Sequence, residues 1–324
     1  MPAPVGLGTL GGMACVVVTG GAGYVGSVVT RRLVEEGHTV RVFDDLSTGH
    51  QDAVTALATL TVGSILDQEA LDIVLPGADA VIHCAAKSLV GESVSNPGLY
   101  FENNVAGSLT LLRAMVRHAV PHIVFSSTAA VYGEPAQMPI TESAPTSPTN
   151  PYGASKLAVD HLISAFSFAH GLSAVSLRYF NVAGSYKGLC ERHATETHLI
   201  PNMLLATDAA PLRVFGSDYD TADGTCVRDY VHIEDLANAH LSALRLTTPS
   251  EHTIINLGSG VGYSVLEVVH AAESTLQRTV PHVFAPRRDG DPVTLVASIA
   301  RAHELLAWQP TRSLDEMVAS AALA

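Results

Sequence analysis

The chain has 324 residues, enough for one or two domains and a sizeable core. Hydrophobic residues make up 47% and charged residues only 15%, which excludes a disordered chain. Its 18 Lys and Arg against 31 Asp and Glu leave a net charge of −13. That is a poor match to nucleic acid or an anionic membrane, so neither is expected as a partner. No apolar run is long enough to span a bilayer. The four cysteines (Cys15, Cys84, Cys190, Cys226) are scattered. That argues against a zinc ribbon or a disulfide scaffold and fits reduced thiols in the cytoplasm.

Residues 1–12 have neither the basic nor the apolar part of a signal peptide and no periodic pattern. They read as a disordered extension or the product of an early start codon, with the folded chain beginning at Met13. From there, short β-branched runs at 15–19, 39–43, 60–62, 80–83, 122–126, 174–178 and 253–257 have the pattern of strands buried on both faces. Segments of helical period lie between them, at 24–36, 98–117, 151–170 and 233–246. The alternation predicts an α/β fold, a doubly wound parallel sheet of Rossmann type. Residues 13–180 form the nucleotide-binding core, with 230–260 returning to it. The rhythm changes after Asn181, so 181–229 and 261–324 are read as a smaller C-terminal α/β cap for the substrate. One helical piece is expected there, near 198–207.

Two motifs carry chemistry. The first strand runs into Gly20-Gly21-Ala22-Gly23-Tyr24-Val25-Gly26 and then a helix. Glycines there allow a tight turn and close backbone approach to a pyrophosphate, which the free amides of a helix N-terminus attract. Asp44, about 20 residues on at the end of the second strand, is placed to accept from ribose hydroxyls. Its carboxylate favours NAD over NADP. The second motif, Pro151-Tyr152-Gly153-Ala154-Ser155-Lys156, puts Tyr152 and Lys156 one helical turn apart on one face. A nearby ammonium lowers a phenol pKa, making Tyr152 a general base. A strand ending in Ser126-Ser127-Thr128 supplies a third coincident feature.

With these motifs the sequence resembles the extended short-chain dehydrogenase/reductase superfamily, in particular its UDP-glucose 4-epimerase (UDP-galactose 4-epimerase) branch. The resemblance runs from about Ala14 to Met317 through TGGAGYVGS, HCAAKSLVGESV, ENNVAGSLTLLRAM, FSSTAAVYGE, NPYGASKL, LRYFNVAG, ETHLIP, VFGSDYDTADGTCVRDYVHIEDLA and RRDGDP. Dehydratases and decarboxylases of the superfamily carry an added acid beside the hydroxyl residue, whereas Ala129 and Ala130 follow Thr128 here. The pattern expected for binding a uronate carboxylate is likewise not recognised in 181–193. The resemblance therefore implies oxidation and re-reduction at one sugar carbon.

It also implies roles. Tyr152 moves the proton of the sugar 4-hydroxyl, Lys156 lowers its pKa and binds the nicotinamide ribose, and Thr128 hydrogen-bonds the 4-oxygen. Gly20, Gly23, Tyr24, Val25 and Gly26 hold the NAD pyrophosphate. Asp44, Asp45, Ser47, Cys84, Ala85, Ala86 and Asn103 line the adenosine side. Ser126, Tyr179 and Phe180 surround the nicotinamide. Asn181, His198, Leu199, Val214, Phe215, Arg228, Arg288 and Asp291 bind the UDP part of the sugar nucleotide, the two arginines through its diphosphate.

Several positions depart from the family pattern. Ser64 and Ile65 stand where an acidic residue would contact adenine. Asp45 replaces an Asn. Either Lys87 or Ser88 fills the place of a lysine that contacts NAD. Leu295 stands where some relatives have a Tyr closing the pocket, leaving room for an N-acetyl group on the sugar. The resemblance further implies a homodimer paired through helices 98–117 and 151–170. The rival functions are epimerisation of a UDP-N-acetylhexosamine or another nucleotide sugar, reduction of a 4-ketosugar, and a non-catalytic dinucleotide-binding module. The fifteen His residues show no H-E-x-x-H spacing, so no bound metal is expected.

Overall fold

The computed structural model describes residues 12–193, 196–288 and 291–323. The expected extension at 1–12 lies, but for its last residue, outside them. In chain order come β1 (Cys15–Thr19), α1 (Tyr24–Glu35), β2 (Thr39–Asp44), β3 (Thr59–Val62), α2 (Gln68–Val74), β4 (Ala80–His83) and α3 (Val90–Ser95). A long helical stretch follows: α4 (Pro97–Tyr100), a π-helical turn (Phe101–Ala106) and α5 (Gly107–Arg117). Then come β5 (His122–Thr128), α6 (Pro151–His170) and β6 (Ser173–Tyr179). The later elements are β7 (Asn181–Ala183), α7 (Leu199–Leu205), β8 (Leu212–Phe215), β9 (Val227–His232), α8 (Ile233–Ala243) and β10 (His252–Leu257). The chain closes with β11 (Gly262–Ser264), α9 (Val265–Leu276), β12 (His282–Ala285), β13 (Thr294–Leu295), α10 (Ala300–Leu306) and α11 (Leu314–Ala322).

Seven strands pair in parallel in the order β10-β6-β5-β4-β1-β2-β3. Alternate residues of β1 explain the two-sided burial. Val16 and Val18 pack on one face with Val28, Leu33 and the α8 residues Leu236 and Leu241. Val17 packs on the other with Leu71, Leu111, Leu112 and Ile163. The order reverses between β1 and β4, so the connections after their C-terminal ends run to opposite faces and leave a crevice, where ligands of such sheets bind.

The remaining strands form two smaller sheets, β11-β9-β13 with β7 on β9, and β12-β8. Helices α7, α9 and α11 close over them around Met203, Val268, Val269 and Met317. Two boundaries differ from the sequence reading. Strand β9 crosses the expected division at 229/230 and belongs to the cap sheet. Ala302, Leu306 and Trp308 pack into the core of the large sheet, not the cap. The expected helix at 98–117 widens into a π turn because Asn104 faces inward, buried, to serve the neighbouring loop.

Candidate active site

The crevice is built first by glycines. Gly20 has φ +71°, and a Cβ on it would stand 2.5 Å from the Ala85 amide nitrogen on the facing loop. A Cβ on Gly26 would lie 2.1 Å from the Gly20 carbonyl oxygen. The loop and the first turn of α1 therefore close to a distance no side chain permits. Gly23, the N-cap of α1, contributes no side-chain hydrogen bond to the first-turn amides, which stay available to an anion.

Gly20, Gly23, Asp44, Asp45, Ser47, Ile65, Cys84, Ala85, Ala86, Lys87 and Asn103 line one cavity. Asp44 is buried at the end of β2. Its carboxylate accepts from the amides of Ala22 and Leu46, both at 2.9 Å. Burial raises its pKa against the pull of those two amides. Asp45 accepts from the Ser47 amide, and Lys87 Nζ donates to Ser47 Oγ at 3.0 Å. Lys87, not Ser88, is thus the residue turned to the cavity; Ser88 is exposed. Ser64 lies outside the lining, its hydroxyl accepting from the Leu66 amide.

Tyr24 and Val25 are not among the residues that line this cavity. The Tyr24 hydroxyl donates to the Gly184 carbonyl in the cap at 2.6 Å, and Val25 packs on the core.

Phe43, Thr48, Gly49 and Gly63 also line the cavity and were missed. Gly49 had a readable signal: it follows the acidic end of β2, and a Cβ there would meet Asp44 Oδ1 at 2.9 Å. Asn104 was missed as well. Its side chain accepts from the Lys87 amide at 2.8 Å and donates to the Lys87 carbonyl and to Ser155 Oγ, both at 3.0 Å. It ties the Lys87 loop to α6.

Helix α6 begins sharply because Asn150 caps it, accepting from the Gly153 amide at 2.8 Å, and Pro151 follows at the first position. Tyr152 and Lys156 face the sheet ends from its first turns. Lys156 is buried, and its ammonium donates to the Ser126 carbonyl at 2.8 Å. Burial brings its pKa down to about 8. The Tyr152 phenol is raised by burial, with the Thr128 hydroxyl opposing as a hydrogen-bond partner. The sequence reading expected Lys156 to lower the Tyr152 pKa. In the free chain desolvation wins instead, and the lysine charge is held by the Ser126 carbonyl.

Thr128 is buried at the end of β5 and accepts from the Ala130 amide at 3.1 Å. Ser126 Oγ donates to Cys84 Sγ at 3.2 Å and meets His240 Nε2 at 3.1 Å. Burial brings the His240 pKa down to about 4, so this imidazole is neutral near pH 7. Burial also raises the phenol of Tyr179, the last residue of β6.

On the cap side, Phe180 packs with Ala129, Val131 and Leu295. Leu295 pairs with Arg228 across β13 and β9. Arg228 forms an ion pair with Asp291, and the Arg288 guanidinium lies 3.8 Å over the Phe215 ring. Asn181 is exposed. Val214 is turned into the cap core and pairs with Phe284 across β8 and β12. His198 caps α7 without a side-chain bond of its own to the helix and faces Glu191 and Glu196 at 2.9 and 3.1 Å. Leu199 packs on the cap core beside it.

Comparison with known proteins decides the family. Residues 16–258 match the NAD dependent epimerase/dehydratase family. The chain belongs to that family. It is 53% identical over 302 residues to a UDP-glucose 4-epimerase of Streptomyces lividans, covering 92% of each chain. It is 50% identical over 296 residues to that of Corynebacterium glutamicum, covering 91% of this chain and 90% of the relative. Among solved structures, UDP-glucose 4-epimerase from Brucella ovis in complex with NAD superposes with TM-score 0.91 at 40% identity, over 96% of this chain and 98% of that one. The cradle of this epimerase-family chain fits a dinucleotide: Gly20 and Gly26 leave room for a pyrophosphate, and the Asp44 carboxylate lines the same cavity. No helix among the described residues is long and apolar enough to cross a membrane.

Proposed function

We propose that this chain interconverts UDP-glucose and UDP-galactose, with NAD held as its resident cofactor. The carrying observation is Tyr152, Thr128 and Lys156 gathered at the end of the dinucleotide cradle, with only Ala129 and Ala130 where a further acid would stand. Bound NAD supplies a hydride acceptor that becomes the donor in the return step. Tyr152 takes the proton of the sugar 4-hydroxyl and later gives it back. Thr128 hydrogen-bonds the 4-oxygen and keeps the proton path short. Lys156 provides a fixed positive charge near the phenol and a donor for the nicotinamide ribose. The 4-keto sugar turns about the diphosphate linkage, so its other face is reduced and C4 inverts. Arg228 and Arg288 hold the diphosphate through charge-assisted hydrogen bonds. For Arg228 this means exchanging the Asp291 carboxylate for phosphate oxygens.

The test is turnover of UDP-galactose by purified protein without added cofactor, followed by NMR. UDP-glucose forming with no net NADH supports the reading. Net consumption of NADH would instead favour a 4-ketosugar reductase.

Leu295 favours a second activity. It is smaller than a Tyr and packs with Phe180 and Ala129 near the sugar end, so it leaves room beside the 2-position. UDP-N-acetylgalactosamine is therefore expected to react, and Leu295→Tyr to lose that activity while keeping UDP-galactose turnover. Failure of the wild-type chain to act on the acetylated sugar refutes this.

Phe101 in the π turn is 44% exposed and Phe168 on α6 is 87% exposed. A second copy of the chain covering them accounts for two large apolar side chains in solvent, and light scattering should give the mass of a homodimer. Four free cysteines and no disulfide among the described residues support a reducing cytoplasmic location.

A further inference from the structure

The loop before α7 holds a cluster that the proposed chemistry does not use. One donor atom each from Glu191, His193, Glu196 and His198 lie within 4.8 Å of one another. Glu191 Oε1 stands 3.3 Å from His193 Nδ1 and 2.9 Å from His198 Nδ1. Glu196 Oε1 stands 3.1 Å from His198 Nδ1. Four donors around a tetrahedral ion at 2.0–2.1 Å are about 3.3 Å apart, and the three contacts of 2.9, 3.1 and 3.3 Å, which also serve as ion pairs without a metal, are close to that spacing. The two carboxylate side chains are only 11% and 12% exposed, unusually dry for adjacent acids on a loop. His193 Nδ1 is buried and, apart from its 3.3 Å approach to Glu191 Oε1, makes no hydrogen bond among the described residues. A buried ring nitrogen left unbonded is costly, and a cation would satisfy it. The pattern is legible as two E-x-H pairs, at 191/193 and 196/198, a spacing that a search for two histidines on one helical turn passes over.

We propose that Glu191, His193, Glu196 and His198 form a binding site for a divalent cation of the zinc class. Two imidazoles with two carboxylates suit zinc or cobalt; magnesium and calcium prefer all-oxygen shells. The site is a clasp and not a reaction centre. His50 meets the Arg192 carbonyl at 3.2 Å and Arg192 pairs with Asp52, so the same loop touches the segment after β2. An ion here fixes the path of the chain into α7. On the reading that His198 and Leu199 border the UDP site, it thereby sharpens UDP binding.

The full-length protein is stripped with a chelator and titrated with Zn2+, then with Co2+. One tight site per chain is expected, together with the strong visible absorption of four-coordinate Co2+. The variant carrying Glu191→Gln and His193→Ala should lose both. No tight binding, equal binding by that variant, or the weak spectrum of six-coordinate Co2+ would overturn the site. The wild-type spectrum decides even if the variant folds poorly. UDP affinity is measured in the same samples and should rise several-fold with Zn2+ in the wild-type chain only. An unchanged UDP affinity overturns the coupling. Turnover of UDP-galactose in those samples is read separately, so failure of the metal site is distinguishable from failure of the epimerase reading.

Discussion

Helix α6, which delivers Tyr152 and Lys156, is pinned to the sheet by a buried ion pair one turn beyond Lys156. Arg178 on β6 donates from Nε and a terminal nitrogen to Asp160 Oδ2 at 3.0 and 2.9 Å, and Ser127 Oγ adds a contact at 3.3 Å. The two side chains are 4% and 3% exposed, so water cannot replace either partner. Asp160→Asn keeps the shape and one acceptor but leaves the guanidinium without a counter-charge. Breaking a buried pair in this way costs about 3–5 kcal/mol. The lower end applies, because the amide oxygen still accepts and Arg178 also donates to the Tyr132 hydroxyl at 3.1 Å. At about 2.1 cal/mol/K of unfolding entropy per residue, about 3 kcal/mol corresponds to a fall in melting temperature of roughly 4–5 °C for a chain of 324 residues. Arg178→Met strands the carboxylate and should cost at least as much. The double replacement Asp160→Leu with Arg178→Met removes both charges and should recover most of the loss. Urea titration of the wild type, Asp160→Leu, Arg178→Met and the double variant reads the coupling. A single-variant cost below about 1 kcal/mol, or a double variant as unstable as the sum of the two, would refute the argument.

Tyr152→Phe should lower kcat by about 10²–10⁴, the usual worth of a positioned acid–base group, while bound NAD is retained; unchanged kcat would remove Tyr152 from the proton path. Gly26→Ala drives a Cβ to 2.1 Å from the Gly20 carbonyl oxygen, so the purified variant should carry little NAD on extraction, and a full complement would refute the cradle. Burial raises Glu35, but hydrogen bonds from Lys187, Tyr186 and Arg32 outweigh it and hold its pKa near about 2. Its folded value lies below its unfolded value, so this contribution is present above about pH 4.5 and is lost as pH falls toward 2. Acid unfolding of Glu35→Gln should show a shallower pH dependence over that window, and an unaltered curve would refute it.

Much of the site was legible because its chemistry is local in sequence. The glycine loop, Asp44, and the Tyr152 and Lys156 pair each lie within one strand–turn–helix unit, where spacing alone fixes which face a residue takes. The placing of alternate β1 residues on opposite buried faces likewise follows from period-two geometry. Asn104 could not be read that way. Its importance lies in bonds to Lys87 and Ser155, 17 and 51 residues away, and in the π turn that aims it. The direction of the Tyr152 pKa also escaped, because desolvation depends on everything packed around the phenol, whereas spacing shows only the nearby lysine. The same holds for the Arg178 and Asp160 pair and for the four donors before α7. The sequence by itself determined the parallel sheet, the glycine cradle and the placing of Tyr152 and Lys156 one turn apart on α6, since short-range backbone geometry dictates them. Only the tertiary structure decided that Lys87 and not Ser88 turns to the cavity, that Tyr24 is spent on the cap, and which charges are buried together. Those outcomes depend on contacts between distant segments, which no local pattern encodes.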